Sequence, residues 1–353
     1  MEQASTQMDE LYMRRCLQLA ELSAGHVAPN PMVGAVLIHR GRIIGEGRHE
    51  RYGEAHAEVN CIESVANDDR HLIRESTLFV SLEPCAHHGK TPPCADLIIR
   101  RQIPEVVVGC RDPFKEVDGR GIEKLKQAGV NITMSSLEKE CISLNKRFFI
   151  FQMAHRPYII LKWAQTADEK IASGNSKRLL ISNEYSNRLV HKWRSEEASI
   201  LVGTNTVMMD DPELTTRLWN GPSPARLIVD MDLRLPASSR VFNGASKTIV
   251  FNKLQHETNG SVSYYQVTED ANMVHQISNA LYQLGIQSVI VEGGASLLQS
   301  FIDDGSWDEA RVITNKLLFA EGGLPAPQLK DPQLNESFTI HDDLIHIYKP
   351  AKR

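Results

Sequence analysis

The chain has 353 residues, with 39 Lys and Arg against 44 Asp and Glu, for a net charge of −5. That length suffices for two ordinary domains with real cores, and the acidic balance argues against broad electrostatic binding to nucleic acid. No apolar run is long enough to cross a bilayer, and six dispersed cysteines without a secretory leader set the expectation of a cytoplasmic chain with reduced thiols.

Asp9 is expected to cap a helix in which Tyr12, Cys16 and Leu19 share one face, ended by Pro29-Asn30-Pro31. Residues 33–38 read as a strand, Arg40-Gly41 as a tight turn and 43–47 as the returning strand. A helix over 56–65 opens on His56-Ala57-Glu58. The strand 77–82 delivers Cys85 at its end, and Cys94 starts a helix running to 101. A strand at 106–109 and helices at 121–128 and 137–149 complete an α/β sandwich. The pattern restarts across 144–157, which divides the chain into domains 1–147 and 148–353. Beyond the boundary, strands are expected at 158–163, 199–203, 226–230, 248–251, 288–291 and 309–314, with helices at 183–194 and 273–284. Residues 344–348 read as a closing strand, which makes the second part another α/β domain.

Chemistry concentrates first on His56, Glu58, Cys85 and Cys94. One imidazole and two thiolates suit zinc, and three protein ligands leave the fourth tetrahedral position for water, as in catalytic zinc sites. Both Cys94 and His56 sit at helix starts, where the positive end of the helix dipole favours a thiolate. Glu58 follows His56 closely enough to move a proton without binding the metal. This is the layout of the zinc-dependent nucleobase deaminases, with a longer insert between the cysteines than their common two residues. A structural zinc knot, with His87 or His88 as fourth ligand, is the competing reading, and it gives Glu58 no role.

The second domain has neither a G-x-G-x-x-G fingerprint nor a P-loop. Val291-Glu292-Gly293-Gly294-Ala295-Ser296 runs from a strand through glycines toward a helix, which suits a phosphate but also an ordinary strand-to-helix turn. Asp210-Asp211 before Pro212 reads as a helix stop as readily as a site. Lys162 lies in a mostly apolar strand, where burial is costly unless the charge is paired.

Asn30-Pro31-x-Val33-Gly34, His56-Ala57-Glu58 and the stretch from Pro84-Cys85 through His87-His88-Gly89-Lys90-Thr91-Pro92-Pro93-Cys94 together resemble the deaminase half of the bifunctional riboflavin-biosynthesis deaminase–reductases. The cluster from Thr206 to Arg217 and the Glu292-Gly293-Gly294 turn resemble the reductase half, so the likeness spans nearly the whole chain in the family's domain order. It implies a cytidine-deaminase-like α/β/α sandwich followed by a dihydrofolate-reductase-like α/β domain. It also implies zinc-dependent removal of the 2-amino group of a diaminopyrimidine ribotide phosphate, then NADPH-dependent reduction of its ribosyl group to ribityl. By this resemblance His56, Cys85 and Cys94 hold zinc, Glu58 carries the proton, and Asn30, His49, His87 and Lys90 hold the first substrate. Ala164, Leu180, Thr206, Asp210, Gly293, Gly294, Ala295, Ser296 and Leu297 face NADPH, while Lys162, Ser176, Arg194, Leu214, Arg217 and Glu292 face the second substrate. The resemblance also implies association into a homo-oligomer, and the charge balance and the lack of a long apolar run set the expectation of no nucleic-acid and no membrane partner. Two departures stand out: Ala167-Asp168-Glu169 replaces the usual Leu-Asp-Gly, and Leu179-Leu180-Ile181-Ser182 replaces Trp-Ile-Thr-Ser. They keep a rival reading in view, a deaminase of another nucleotide joined to an inactive second domain. A non-catalytic zinc-stabilised module is the other rival.

Overall fold

The computed structural model describes residues 2–87, 92–174 and 179–351. The chain forms two compact units, Met1–Ala154 and His155–Arg353.

The first unit is built on strands β1 (Gly34–His39), β2 (Arg42–Arg48), β3 (Thr77–Val80), β4 (Glu105–Val108) and β5 (Asn131–Met134), in the order β2-β1-β3-β4-β5. β1 is antiparallel to β2 and β3, and β3, β4 and β5 run parallel. Its helices are α1 (Glu2–Glu21), α2 (Ala57–Glu63), α3 (Cys94–Arg100), α4 (Arg120–Gln127), α5 (Glu138–Leu144) and α6 (Lys146–Ala154). Successive side chains on a strand point to opposite faces, so each strand feeds two cores. Ala35, Leu37, Leu78, Val80, Val106 and Val108 pack under α2, α3 and α4, whereas Val36, Ile38, Phe79 and Val107 pack under α1, α5 and α6. The outcome is the expected α/β/α sandwich.

Three local expectations are corrected. α1 begins at Glu2, so Asp9 lies inside the helix rather than at its cap. The single helix expected over 137–149 is two, because Asn145 leaves the helical path and bridges both backbone groups of Met32 at 2.8 Å. β5 has no expected counterpart; it is short and largely exposed, so it lacks an apolar run.

In the second unit the strands are β6 (Tyr158–Gln165), β7 (Lys170–Ala172), β8 (Ser199–Gly203), β9 (Ala225–Val229), β10 (Thr248–Asn252), β11 (Glu257–Asn259), β12 (Val262–Gln266), β13 (Ser288–Val291), β14 (Glu309–Asn315), β15 (Leu324–Pro325), β16 (Pro332–Ile340) and β17 (Asp343–Pro350). The large sheet has the order β11-β12-β10-β9-β8-β13-β6-β14-β17-β16, and β7 pairs separately with β15. The seven strands from β12 to β14 in that order run parallel. Helices α7 (Glu184–Glu196), α8 (Thr204–Asp210), α9 (Met273–Gln283) and α10 (Ala295–Asp304) accompany them. β17 is not the closing edge, since β16 pairs outside it and is exposed over most of its length.

Alternation again sorts the faces. Ile159, Leu161, Trp163, Leu201, Ile249, Phe251, Val289 and Val291 form one core with Ile277 and Leu281 of α9 and Phe301 of α10. Burying one such side chain contributes about 1.5–3 kcal/mol. Lys162 and Ala164 occupy the intervening positions of β6 and so turn to the opposite face. In a parallel sheet the loops at the carboxyl ends of the strands gather on one edge, where ligands bind. Here the ends of β6, β8 and β13 are neighbours.

Candidate functional site

The first site forms where α2 and α3 begin. His56 is the N-cap residue of α2, extended in backbone, and Cys94 is the first residue of α3. Cys85 follows β3 and is tied to α3 twice: its carbonyl accepts from Ala95 N–H at 3.1 Å and its Sγ from Cys94 N–H at 3.4 Å. His56 Nδ1 lies 3.6 Å from Cys85 Sγ and 3.3 Å from Cys94 Sγ. All three donor atoms fall within 4.8 Å of one another. A tetrahedral zinc with ordinary bond lengths separates such donors by about 3.6–3.8 Å, so the set fits the ion in chemistry and in spacing.

The electrostatics agree. The Cys85 thiol is pulled down to about 4 by its hydrogen bonds with Cys94 and His56, against the opposing effect of burial. The same hydrogen bond with Cys85, together with burial, pushes Cys94 well up. His56 is raised by its hydrogen bond to Cys85. Cys85 thus meets a divalent cation as a thiolate, while Cys94 and His56 hold protons that the cation displaces. Glu58 is 3% exposed and in hydrogen-bond contact with Cys94, and burial pushes its carboxyl up. Among the described residues the cluster has three members, and His87 is not one of them. His88 and Lys90 lie outside the described residues.

Asn30 and His49 meet beside the cluster. His49 Nδ1 is 3.0 Å from the Ala55 carbonyl, which can only accept, so that nitrogen carries the proton. His49 Nε2 therefore accepts from Asn30 Nδ2 at 3.1 Å, and burial lowers the His49 pKa. The His49 ring stands edge-on to His56 at 5.3 Å. His87 lies edge-on to Phe114 at 5.9 Å, with its Nδ1 buried and without a hydrogen-bond partner.

In the second unit, three expected residues converge from three elements. Glu292, just past β13, binds Arg194 of α7 through Nε at 2.9 Å and a terminal nitrogen at 2.7 Å, and Lys162 of β6 lies at 3.6 Å. Burial opposes ionisation of Glu292, yet the Arg194 and Lys162 charges hold its carboxyl down at about 2. Burial lowers Lys162, opposed by Glu292. Gly293 and Gly294 open α10, with Gly294 at φ +72° and Ala295, Ser296 and Leu297 in the first turn. A Cβ on Gly293 would lie 2.8 Å from Thr206 Oγ1, so only glycine lets this turn approach α8 so closely. That bare backbone at a helix start is a cradle for an anion and fits a nucleotide phosphate. Asp210 ends α8, and Asp211 is its left-handed cap, so the aspartate pair does stop the helix.

Sequence reasoning missed His191. It accepts the Arg217 N–H on Nδ1 at 3.0 Å, and burial together with the Arg194 and Arg217 charges pushes it down to about 4. Its position one turn before Arg194 on α7 was the available signal. Leu214 is buried with a left-handed backbone, φ +56°. Leu180 is 75% exposed. Ser176 lies outside the described residues.

Residues 6–110 match the cytidine and deoxycytidylate deaminase zinc-binding region, and residues 157–345 match the RibD C-terminal domain. The chain is 38% identical to the riboflavin biosynthesis protein RibD of Aquifex aeolicus, over 97% of this chain and 99% of that protein. The chain belongs to the RibD family. With RibD of Escherichia coli K12 the identity is 33%, covering 88% of each chain. A crystal structure of a diaminohydroxyphosphoribosylaminopyrimidine deaminase/5-amino-6-(5-phosphoribosylamino)uracil reductase from Thermotoga maritima superposes with a TM-score of 0.90 at 35% identity, over 98% of this chain and all (100%) of that one. RibD of Acinetobacter baumannii also gives 0.90, at 26% identity and the same coverage. Membership makes this chain a bifunctional enzyme of riboflavin biosynthesis, a deaminase domain followed by a reductase domain, acting on a small molecule. Its cofactors are those of the family, zinc in the deaminase domain and NADPH in the reductase domain. No helix among the described residues is long and apolar enough to cross a membrane.

Proposed function

We propose that the first unit hydrolyses the 2-amino group of 2,5-diamino-6-(5-phosphoribosylamino)pyrimidin-4-one, and that the second reduces the ribosyl group of the product to ribityl phosphate. The observation that carries this reading is the convergence of His56, Cys85 and Cys94 beside the buried Glu58. Zinc held there supplies Lewis acidity that makes water nucleophilic at neutral pH. Glu58 takes the proton of the attacking water and returns it to the departing amine, and its burial suits a carboxyl that must carry a proton. Asn30, fixed by His49, offers its carbonyl and its second N–H to the pyrimidine edge. His87 and Lys90 are assigned to the same substrate, the lysine as a point charge for its phosphate.

In the second unit NADPH supplies the hydride. The backbone of Gly293, Gly294 and the first turn of α10, packed against Thr206, receives the cofactor's phosphates, and Ala164, Leu180 and Asp210 are assigned to the same cofactor. Lys162, Arg194 and Glu292 form the substrate floor, and Ser176, Leu214 and Arg217 are assigned to the same substrate. His191, neutral at physiological pH, holds the Arg217 backbone so that its guanidinium can meet a phosphate. We place the domain boundary between residues 147 and 155, the protein in the cytoplasm, and its working form as a homo-oligomer.

Replacing Glu58 by Gln tests the proton role. The variant keeps its zinc and its NADPH-dependent reduction while ammonia release collapses. Undiminished ammonia release, or loss of zinc along with activity, would contradict the role given to Glu58.

A further inference from the structure

We propose that Glu83 is a positioning residue for the metal ligand Cys85 and for the wall beside His87. Its side chain is buried, at 3% exposure, and each carboxylate oxygen accepts two backbone N–H groups. Oε1 takes those of Gly121 at 3.0 Å and Ile122 at 3.2 Å; Oε2 takes those of Gly119 at 3.0 Å and Asp112 at 3.3 Å. The first N–H groups of a helix have no partner within it, and α4 has no side-chain cap of its own. Glu83, arriving from the end of β3, supplies that cap across the sheet.

The contact reaches the metal site through two residues of chain. Gly121 packs so closely on Pro84 that a Cβ there would lie 1.9 Å from the Pro84 carbonyl oxygen. Glu83 N–H donates to the Cys110 carbonyl at 2.9 Å. Cys85 is thus gripped on its upstream side by α4 and the segment just past β4, and on its downstream side by α3. The same carboxylate gathers the loop from Asp112 to Gly119. That loop carries Phe114, whose N–H is held by Asp112 Oδ1 at 2.7 Å and whose ring meets His87. One side chain therefore fixes both a metal ligand and a side of the substrate site. Nothing in the Glu83-Pro84-Cys85 spelling announces this, since the four donors come from a loop and the start of α4, 29 to 39 residues on.

The inference rests on the reading of His56, Cys85 and Cys94 as ligands, and the test separates the two. Full-length wild type and Glu83→Gln are freed of metal and titrated with Co²⁺ against a competing chelator, following the thiolate-to-cobalt absorption. Wild type without that absorption would sink the ligand reading itself. Given a wild-type band, Glu83→Gln is expected to bind cobalt about 10- to 100-fold more weakly with an altered spectrum, as for other groups that orient metal ligands. Reduction by the second unit should remain at the wild-type rate. Gln matches Glu in volume but turns N–H donors toward two of the four amides, so a role in packing alone predicts no change. Wild-type affinity and spectrum in Glu83→Gln would overturn the proposal. Gly121→Ala presses on the same grip from the helix side and should alter the cobalt spectrum in the same way. A wild-type spectrum there would overturn the proposal even if Glu83→Gln does not fold.

Discussion

The two sites solve opposite electrostatic problems. In the first unit, donors and a carboxyl crowd together with no cation of their own: Cys85, Cys94, His56 and Glu58 shift one another's proton affinities. In the second, Lys162 and Arg194 already balance Glu292, and the charge is settled within the protein. The first arrangement asks for a metal, the second for a substrate that can exchange partners with a buried ion triad. Because the first depends on residue type at short spacing, its sequence is legible. The second depends on which strand ends are neighbours, which only the fold determines.

The largest expected effect breaks one side alone. Glu58→Gln should lower deamination by about 10²- to 10⁴-fold, the usual range for a lost general acid–base, while NADPH oxidation with the deaminated substrate is unchanged. The mirror experiment is Glu292→Gln. It leaves two buried cations facing each other, so reduction should vanish and urea denaturation should show a loss of about 3–5 kcal/mol, with zinc content intact. Survival of reduction in that variant would show that the triad is structural.

His191 sharpens the contrast through pH. Its folded pKa is pushed down from 6.5 to about 4, so the unfolded chain binds the extra proton first as pH falls. Stability should therefore drop as pH falls from 6.5 toward 4, by up to roughly 3 kcal/mol from this residue. Unfolding of wild type and His191→Asn across that window should differ by this slope; parallel curves would mean that the imidazole is not held neutral.

The smallest effect concerns Glu169, in the turn between β6 and β7. It replaces the usual glycine and sits at φ +57°, in the region that glycine enters freely. Thr166 and Asp168 secure the turn through a side-chain hydrogen bond of 2.6 Å, and Asp168 also accepts from Ala320 N–H at 3.0 Å. Glu169→Gly should stabilise the chain by about 1 kcal/mol, read as a raised thermal midpoint, without loss of reduction. A lowered midpoint would mean that the Glu169 side chain makes a contact that outweighs its strain.

Legibility followed the same divide. His56, Cys85 and Cys94 stood out by type and spacing, and the structure brings them together with Glu58. Lys162 stood out as a charge in an apolar strand, and its partners came from α7 and the end of β13. The bond from the Arg217 N–H to His191 and the four amides on Glu83 could not be read locally, because each bond joins segments far apart in the chain. Exposed β16 escaped for a different reason: an edge strand wet on both faces shows no alternation to read.

The most direct test of two separate chemistries in one chain is a coupled assay on zinc-replete protein. The diaminopyrimidine ribotide is supplied with and without NADPH, and ammonia and NADPH are followed together. Ammonia release in both cases, with NADPH consumed only after ammonia appears, is the predicted result. Ammonia without any NADPH consumption, or NADPH consumed before deamination, would contradict the account.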